Sequence, residues 1–181
     1  SQNQRFTFEL LLKEGLIESA GAVLNLNKNE LKNKIINIMN NSSSIFQKAL
    51  KAQSYVDGFG ANRVVEIIYP SKKNNLTIRE ACDSDIFTYF NWANDLSARS
   101  SAFNSNTIDI EQHQTWYKKQ LNDSNSYLFV LEANRLPIGQ IRFNCKGEKA
   151  FVDASLDEFV RNRGWSEQLF RLGASKLHTS R

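Results

Sequence analysis

The fold of this chain is decided by residues 151–166, FVDASLDEFVRNRGWS. Residues 151–156 predict a strand, and residues 166–177 predict a helix. Between them Gly164 marks a tight turn, since glycine adopts a positive φ without steric cost. Such a turn directs several backbone N–H groups at one point, where the start of the helix adds the positive end of its dipole. The stretch predicts an anion-binding turn, with an ordinary strand-to-helix turn as the simpler alternative.

The segments around this turn predict an α+β domain with one sheet. Asn134 and Arg135 separate two apolar runs and predict a hairpin connection. A polar loop is expected at 97–107. The predicted strands are 76–80, 127–132, 137–144 and 151–156, and the predicted helices are 83–95, 110–121 and 166–177. This order of elements, one strand followed by two helices, three antiparallel strands and a last helix, is typical of an α+β fold.

The N-terminal part has a different pattern. Helices are predicted at 8–14, 28–39 and 45–52, the first ended by Gly15 and the second started by a capping box of Asn27 and Glu30. Residues 61–69 form an apolar element of undetermined type, and the polar segment 70–75 predicts a domain boundary. No complete core is predicted before residue 70, so we expect this part to pack against something else.

Composition favours a globular protein. The chain has 181 residues, of which 41% are hydrophobic and 11% aromatic, enough for a packed core. It shows neither a secretion signal nor an apolar run of bilayer length, so we expect a cytoplasmic protein with no membrane partner. Cys82 and Cys145 have no neighbouring Cys or His at metal-ligand spacing, and neither a disulfide nor a metal is expected.

A net charge of +4 suits a polyanionic ligand, which a coenzyme, a sugar nucleotide or a nucleic acid would satisfy. The Lys and Arg residues are scattered along the chain. Aromatic residues are not interleaved with basic ones on any predicted strand, so nucleic acid is not the expected partner.

The turn resembles the acyl-CoA pyrophosphate loop of the GNAT superfamily of acetyltransferases. Arg161, Gly164 and Ser166 carry the spacing, although the family usually has Gly or Ala where Ser166 stands. Residues 76–79 (LTIR), 137–143 (PIGQIRF) and 152–157 (VDASLD) resemble the family's strands. The resemblance implies a GNAT-like mixed, mainly antiparallel sheet flanked by helices.

The resemblance also implies acetyl-CoA as co-substrate. Its pyrophosphate would lie on the turn, and its pantetheine arm would pair with the strand before the turn as another strand would. Charge from Arg161 would assist the phosphates, and Trp165 is expected to be a core or lid residue. The implied cofactor-binding residues are Leu156, Asp157, Arg161, Asn162, Arg163, Gly164, Trp165 and Ser166.

Residues 92–95 (WAND) and 113–116 (HQTW) resemble family members that acetylate an amino group on nucleotide-linked deoxysugars. Trp92 and Trp116 become candidates for stacking on a sugar, and Arg99 for binding a substrate phosphate. Aromatic residues at helical spacing are more often part of a core, and an arginine in a polar loop is more often simply exposed.

Acetyl transfer to an amine needs a group that removes a proton, and His113 is the candidate base because imidazole titrates near neutral pH. A lone histidine on the apolar side of a helix is more often a hydrogen-bonded structural residue. Asp153, Asp157 and Glu158 are the alternatives.

The first third of the chain resembles a different protein family. The spacing of Gly15 and Gly21 and residues 57–65 (DGFGANRVV) resemble the tail of the UDP-sugar hydrolase of pseudaminic acid biosynthesis, a glycosyltransferase-B-like α/β enzyme. The implied domains are a hydrolase-like tail at 1–69, a linker at 70–75 and an incomplete GNAT-like domain at 76–181.

Together the resemblances imply an N-acetyltransferase for a nucleotide-linked amino sugar, in surface-polysaccharide or pseudaminic acid biosynthesis and within a larger bifunctional protein. A GNAT enzyme for a protein or another small amine, and a non-catalytic interaction module, are the alternatives. In the family further strands follow the last helix, so we expect residues 1–181 alone to be a weak enzyme. The exposed last strand suggests a homodimer.

Overall fold

The computed structural model describes residues 2–21, 27–102 and 104–180. The chain divides into two compact units, Ser1–Asp57, here the helical unit, and Gly58–Arg181, here the sheet unit. The compact units therefore divide after Asp57, whereas the sequence placed the boundary at 70–75. Residues 58–69 belong with the sheet by contact, because their helix is bonded to the hairpin and to the turn described below.

The helical unit contains three helices, α1 (Gln2–Lys13), α2 (Lys28–Asn40) and α3 (Ser42–Tyr55). Gly15 follows α1 with φ of 69°, and the side chain of Asn27 caps α2 by accepting from two backbone N–H groups, as predicted. Polar contacts join Lys51 and Tyr55 to Glu14. Among the described residues of this unit, no hydrophobic side chain is buried.

The sheet unit confirms the α+β prediction. Its four strands form one antiparallel sheet in the order β1-β2-β3-β4. In chain order the elements are α4 (Gly60–Ile68), β1 (Thr77–Glu80), α5 (Ile86–Asn94), α6 (Leu96–Ser100), α7 (Ile110–Leu121), β2 (Ser126–Ala133), β3 (Leu136–Lys146), β4 (Lys149–Leu156) and α8 (Ser166–Ser180).

One local prediction needs correction, and one element that the sequence left undetermined can now be assigned. The segment 97–107 was expected to be a loop, but its first residues belong to α6, which Asp95 caps by accepting from two backbone N–H groups. Of this segment, residue 103 lies outside the described residues. The apolar element at 61–69 is a helix, α4, rather than a strand. No strand occurs among the described residues before β1.

The predicted hairpin is confirmed. Asn134 and Arg135 join β2 to β3 with φ of 50° and 62°. Two successive residues with positive φ form the turn whose twist matches that of the flanking strands.

Strand alternation in β2 divides the core into two layers. Phe129 and Leu131 face one side, where they pack with Trp165 and with Leu169 of α8. Leu128 and Val130 face the other side, where they pack with α5 and α7. The sheet is therefore covered by helices on both faces.

Gly173 brings α8 close to the sheet. A Cβ at this position would lie 2.7 Å from the Cγ2 atom of Ile141 in β3. A larger residue here would require Ile141 or the helix to shift. Among the described residues, no helix combines the length and apolar character that crossing a bilayer requires.

Candidate functional site

The turn between β4 and α8 has two residues in the left-handed region, Asn162 at φ of 66° and Gly164 at φ of 69°. Within the described part of the chain, the backbone N–H groups of residues 164–168 donate to no partner, whereas that of Arg163 closes the turn at 161–162. The next N–H, that of Leu169, donates to the carbonyl of Trp165 at 3.0 Å. Unpaired N–H groups at the start of a helix are the ordinary donors of an anion site. The turn has this backbone geometry, as the sequence predicted.

Arg161 directs its charge to protein atoms. Its Nε donates to the carbonyl of Leu156 at 3.1 Å, and its Nη2 donates to Asp95 Oδ1 at 2.7 Å. This pairing keeps the pKa of Asp95 below its ordinary value, although burial acts in the opposite direction. The side chain clamps the end of β4 to α6 instead of extending into the turn.

Arg163 is held on the opposite side of the turn. Its Nη1 donates to Glu66 Oε1 at 2.9 Å, and its guanidinium carbon lies 5.1 Å from the centre of the Trp165 ring. Trp165 itself is 4% exposed and belongs to the core, as expected. Both arginine side chains are paired with carboxylates of the protein, so their charges are already partly compensated before any ligand binds.

Glu66 anchors this arrangement. It is completely buried in α4, while its neighbours Val65 and Ile67 on the same helix are exposed. Its carboxylate accepts from Ser71 N at 2.9 Å and from Ser71 Oγ at 2.8 Å. It also accepts from Asn134 Nδ2 at 2.9 Å, in addition to Arg163. One carboxylate thus connects α4, the hairpin and the turn.

Lys73 supplies a cation at the turn that the sequence did not predict. A Cβ at Gly164 would lie 3.9 Å from Lys73 Nζ. The ammonium also lies 3.7 Å from Glu167 Oε2. Both side chains are substantially exposed, so this pair is weak and an anion could replace the carboxylate.

The outer edge of β4 is unpaired among the described residues. Asp157 N donates to the carbonyl of Ile138 at 2.9 Å. Because outward and inward groups alternate along an antiparallel strand, the N–H and C=O groups of Ala154 and Leu156 point to the open edge. Arg161 Nε uses one of them, the carbonyl of Leu156.

Two cavities adjoin at this edge. The turn cavity has a volume of about 310 Å³ and is lined by Asn162 and Ser166, among others. The aromatic cavity has a volume of about 390 Å³. Both are lined by residues 154–156 and by Arg161, so they form one groove along β4.

The aromatic cavity brings together the three predicted substrate-binding residues, Trp92, Arg99 and Trp116. Trp92 is 6% exposed, and its Nε1 donates to Asp157 Oδ2 at 2.8 Å. The remaining oxygen of Asp157 accepts from Phe159 N at 2.9 Å, so this carboxylate is structurally occupied. The cavity also contains Gln140 and Asp153.

His113 lies apart from the groove and is not among the described residues that line it. It is 2% exposed, and its Nε2 lies 2.9 Å from the carbonyl of Ile86. Burial lowers the pKa of His113, only partly offset by this hydrogen bond. The ring is surrounded by Phe90, Trp116 and Tyr117. Its surroundings favour the structural role that the sequence left as the alternative.

No protein-family profile matches the chain, and a search of curated proteins found no significant match. Solved structures do match it. The spermidine N-acetyltransferase from Vibrio cholerae, in complex with CoA and spermine, has a TM-score of 0.52 and 20% identity, covering 59% of this chain and 64% of that one. A chimera of the enzyme from Vibrio cholerae and hSSAT has a TM-score of 0.50 and 17% identity, covering 58% and 64%.

The matched part has a fold similar to that of these N-acetyltransferases. The chain spans slightly less than two thirds of the length of these two enzymes. At this identity the comparison identifies the acetyltransferase fold, and the chemistry must be argued from the site itself.

Lys73 and Gln140 are the site residues that the sequence analysis missed. Lys73 stands in the polar segment predicted to be a linker, where nothing signals contact with a turn far along the chain. Gln140 had a detectable signal, since it is a polar residue within the otherwise apolar run 138–141 of a predicted strand.

Proposed function

We propose that this chain belongs to an N-acetyltransferase that takes its acetyl group from acetyl-CoA. The observation that carries the proposal is the row of unpaired backbone N–H groups at residues 164–168, which follows the open strand edge. A diphosphate needs such donors, and an extended chain of amides needs such an edge.

The residues present fit acetyl-CoA, which supplies an acetyl thioester. The N–H groups of the turn would hold the diphosphate, and Lys73 would add positive charge. The outward groups of Ala154 and Leu156 would pair with the amides of the pantetheine arm. The reacting end would then lie in the aromatic cavity, since that cavity continues the groove.

In the reaction, the nitrogen of a neutral amine attacks the thioester carbonyl. The C–N bond forms, the C–S bond breaks, the nitrogen loses a proton and the thiolate gains one. Asp153 is the base that the cavity supports best, because it lines the cavity and its side chain is 58% exposed, with Arg142 Nη2 at 3.4 Å from its Oδ2 as its ion-pair partner. Asp157 is occupied by Trp92 and Phe159, and Glu158 is not among the described lining residues.

The proposed acceptor is the amine of a nucleotide-linked amino-deoxysugar. Trp92 and Trp116 line the cavity in which a sugar would bind, and Arg99 would offer a cation to a phosphate. The proposal places the protein in the cytoplasm, in surface-polysaccharide or pseudaminic acid biosynthesis. A protein amine or a polyamine is the alternative acceptor.

Residues 1–69 are proposed to be the tail of a UDP-sugar hydrolase-like domain within a bifunctional protein. The exposed apolar side chains of the helical unit support this, since such faces normally cover another part of a core. The outward backbone groups at the start of β4, beside exposed Phe151, support a homodimer that pairs this edge. Sedimentation velocity tests the dimer.

A thermal-shift titration with CoA tests the proposal. Saturable stabilisation is expected, as for any ligand that binds only the folded state. Ser166→Glu places a carboxylate at the turn, at a helical position that favours acidic residues, so the fold should persist while CoA binding weakens by roughly tenfold or more. Ser166→Gln is the neutral control of the same size.

Two results would contradict the proposal. One is the absence of stabilisation at millimolar CoA, which would favour a non-catalytic module, a reading that the ion-paired Arg161 and Arg163 otherwise support. The other is equal CoA binding by the Ser166→Glu and Ser166→Gln variants.

A further inference from the structure

Gln140 carries a buried acceptor without a partner. The side chain is 7% exposed, and its Nε2 lies 3.4 Å from Asp153 Oδ2 and from Ser155 Oγ. Because the carboxylate of Asp153 only accepts, the amide nitrogen must face it and the amide oxygen must face away. That oxygen, Oε1, is buried without a hydrogen-bond partner in the described part of the chain. An unpaired buried acceptor destabilises a fold, which calls for a ligand that donates to it.

Arg99 carries the complementary feature in the same cavity. Its Nη1 donates to the carbonyls of Asn104 and Asn106 at 3.2 Å and 3.3 Å. Its Nε is buried and unpaired among the described residues, none of which forms an ion pair with it. Arg161 lines the same cavity but is neutralised by Asp95. The guanidinium of Arg99 therefore presents an uncompensated positive charge.

We infer that the aromatic cavity selects an amine that also carries a negatively charged group. The amine donates to Gln140 Oε1, the amide oxygen opposite the nitrogen that faces Asp153, and the anion accepts from Arg99. This inference rests on the proposed function and narrows its acceptor. It names Gln140 as the residue that holds the acceptor amine.

The same features disfavour a polycation. A second ammonium group on the acceptor would approach Arg99, with which no described carboxylate forms an ion pair and where like charges repel. Trp92 and Trp116 would contact the carbon skeleton of the ligand, and this contact does not depend on the charge of the ligand. Selection therefore depends on the two polar groups, one for each end of the ligand.

Isothermal titration of the full chain tests this with three amines, glucosamine 6-phosphate, glucosamine and spermidine. The two sugars differ only in the phosphate. We expect glucosamine 6-phosphate to bind at least roughly tenfold more tightly than glucosamine, as for one charge-assisted contact, and spermidine to bind more weakly than either. Tighter binding of spermidine, equal binding of the two sugars, or no binding of the phosphate would overturn the inference.

Two substitutions test the separate roles of Arg99 and Gln140 in binding. Arg99→Met should bring the two sugars within about twofold of each other, and Gln140→Met should weaken both by about tenfold. The matched controls are Arg171→Met and Gln112→Met, which remove the same groups from exposed helix positions and should leave the affinities unchanged. Thermal melting confirms that each variant is folded. Unchanged affinities in Gln140→Met would contradict its role.

A parallel titration with CoA separates this inference from the proposed function. If CoA binds but the sugars are not distinguished, only the inference fails. If the sugars are distinguished but CoA does not bind, the cavity has the selectivity inferred here and the acetyl-transfer proposal fails.

Discussion

The helical unit and the sheet unit are built from equally regular patterns, but among the residues that the structure describes only the sheet unit has a core. In the helical unit, Phe6 is 75% exposed and Met39 is 73% exposed, and no described hydrophobic residue is buried. In the sheet unit, Tyr117, Val130, Leu131 and Ile141 are fully buried. The difference shows that periodicity specifies a helix, whereas stability requires a second surface for the apolar face to cover.

Hydrogen exchange of the full chain should show the largest difference between the helical unit and the sheet unit. Amides of β2 and β3 are expected to exchange only on global unfolding, which costs about 5 kcal/mol or more, whereas those of α2 should exchange through local fraying. Exchange rates should therefore differ by a factor of several thousand. Equal protection would show that the helical unit is stabilised as strongly as the sheet.

Truncation of a single side chain should lower the free energy of unfolding much more in the sheet unit than in the helical unit. Phe129→Ala removes a ring that is 1% exposed and should lower the free energy of unfolding by about 3–5 kcal/mol, through lost burial and the cavity left behind. Phe6→Ala, the matched change in the helical unit, should change it by less than about 0.5 kcal/mol. Urea unfolding followed by tryptophan fluorescence measures both, and a large effect of the Phe6 variant would break the comparison.

Glu66 tests whether α4 belongs to the sheet unit. Glu66→Gln should cost about 2–3 kcal/mol, because Arg163 would lose its buried carboxylate partner. Glu167→Gln removes an exposed carboxylate near Lys73 and should cost at most about 0.5 kcal/mol. Chemical unfolding compares them. Equal effects of the two substitutions would mean that the ion pair and hydrogen bonds of Glu66 do not hold α4 in the sheet unit.

The smallest expected effect is a change in the stability of the sheet unit with pH. The folded state lowers the pKa of His113, so the unfolded chain binds the proton more readily. Stability should therefore fall as the pH drops below the unfolded pKa of about 6.5, by at most about 1.4 kcal/mol per pH unit, until the folded pKa is reached.

His178, the second histidine, is exposed near the end of α8 and provides the control. His113→Gln should flatten the stability profile between pH 7.5 and 5, whereas His178→Gln should leave it unchanged. Unfolding curves at several pH values measure this. An unchanged slope in the His113 variant would show that another group is responsible.

Strand and helix positions in the sheet unit were predictable because alternation and turn residues are local signals. The helix 110–121 was predicted with the observed bounds, and Asn134 with Arg135 identified the hairpin. The short helix α6 was missed because its polar sequence resembles a loop. The type of α4 was undetermined because its apolar residues are exposed and its one buried side chain is Glu66.

The site was predictable where backbone conformation creates it and unpredictable where side chains from distant segments meet. Gly164 requires a tight turn, and the turn exposes its N–H groups whichever side chains flank it. The directions of Arg161 and Arg163 depend on Asp95 and Glu66, which lie 66 and 97 residues away in sequence. A local pattern contains no information about such partners.

The sequence by itself determined the α+β order, the hairpin and the glycine turn before α8, since each follows from φ preferences and hydrophobic spacing within a few residues. Only the tertiary structure decided that His113 is enclosed, that Lys73 reaches the turn and that Gln140 and Arg99 share a cavity. Burial and hydrogen bonding are properties of surfaces brought together by packing, and they exist only once the sheet has formed.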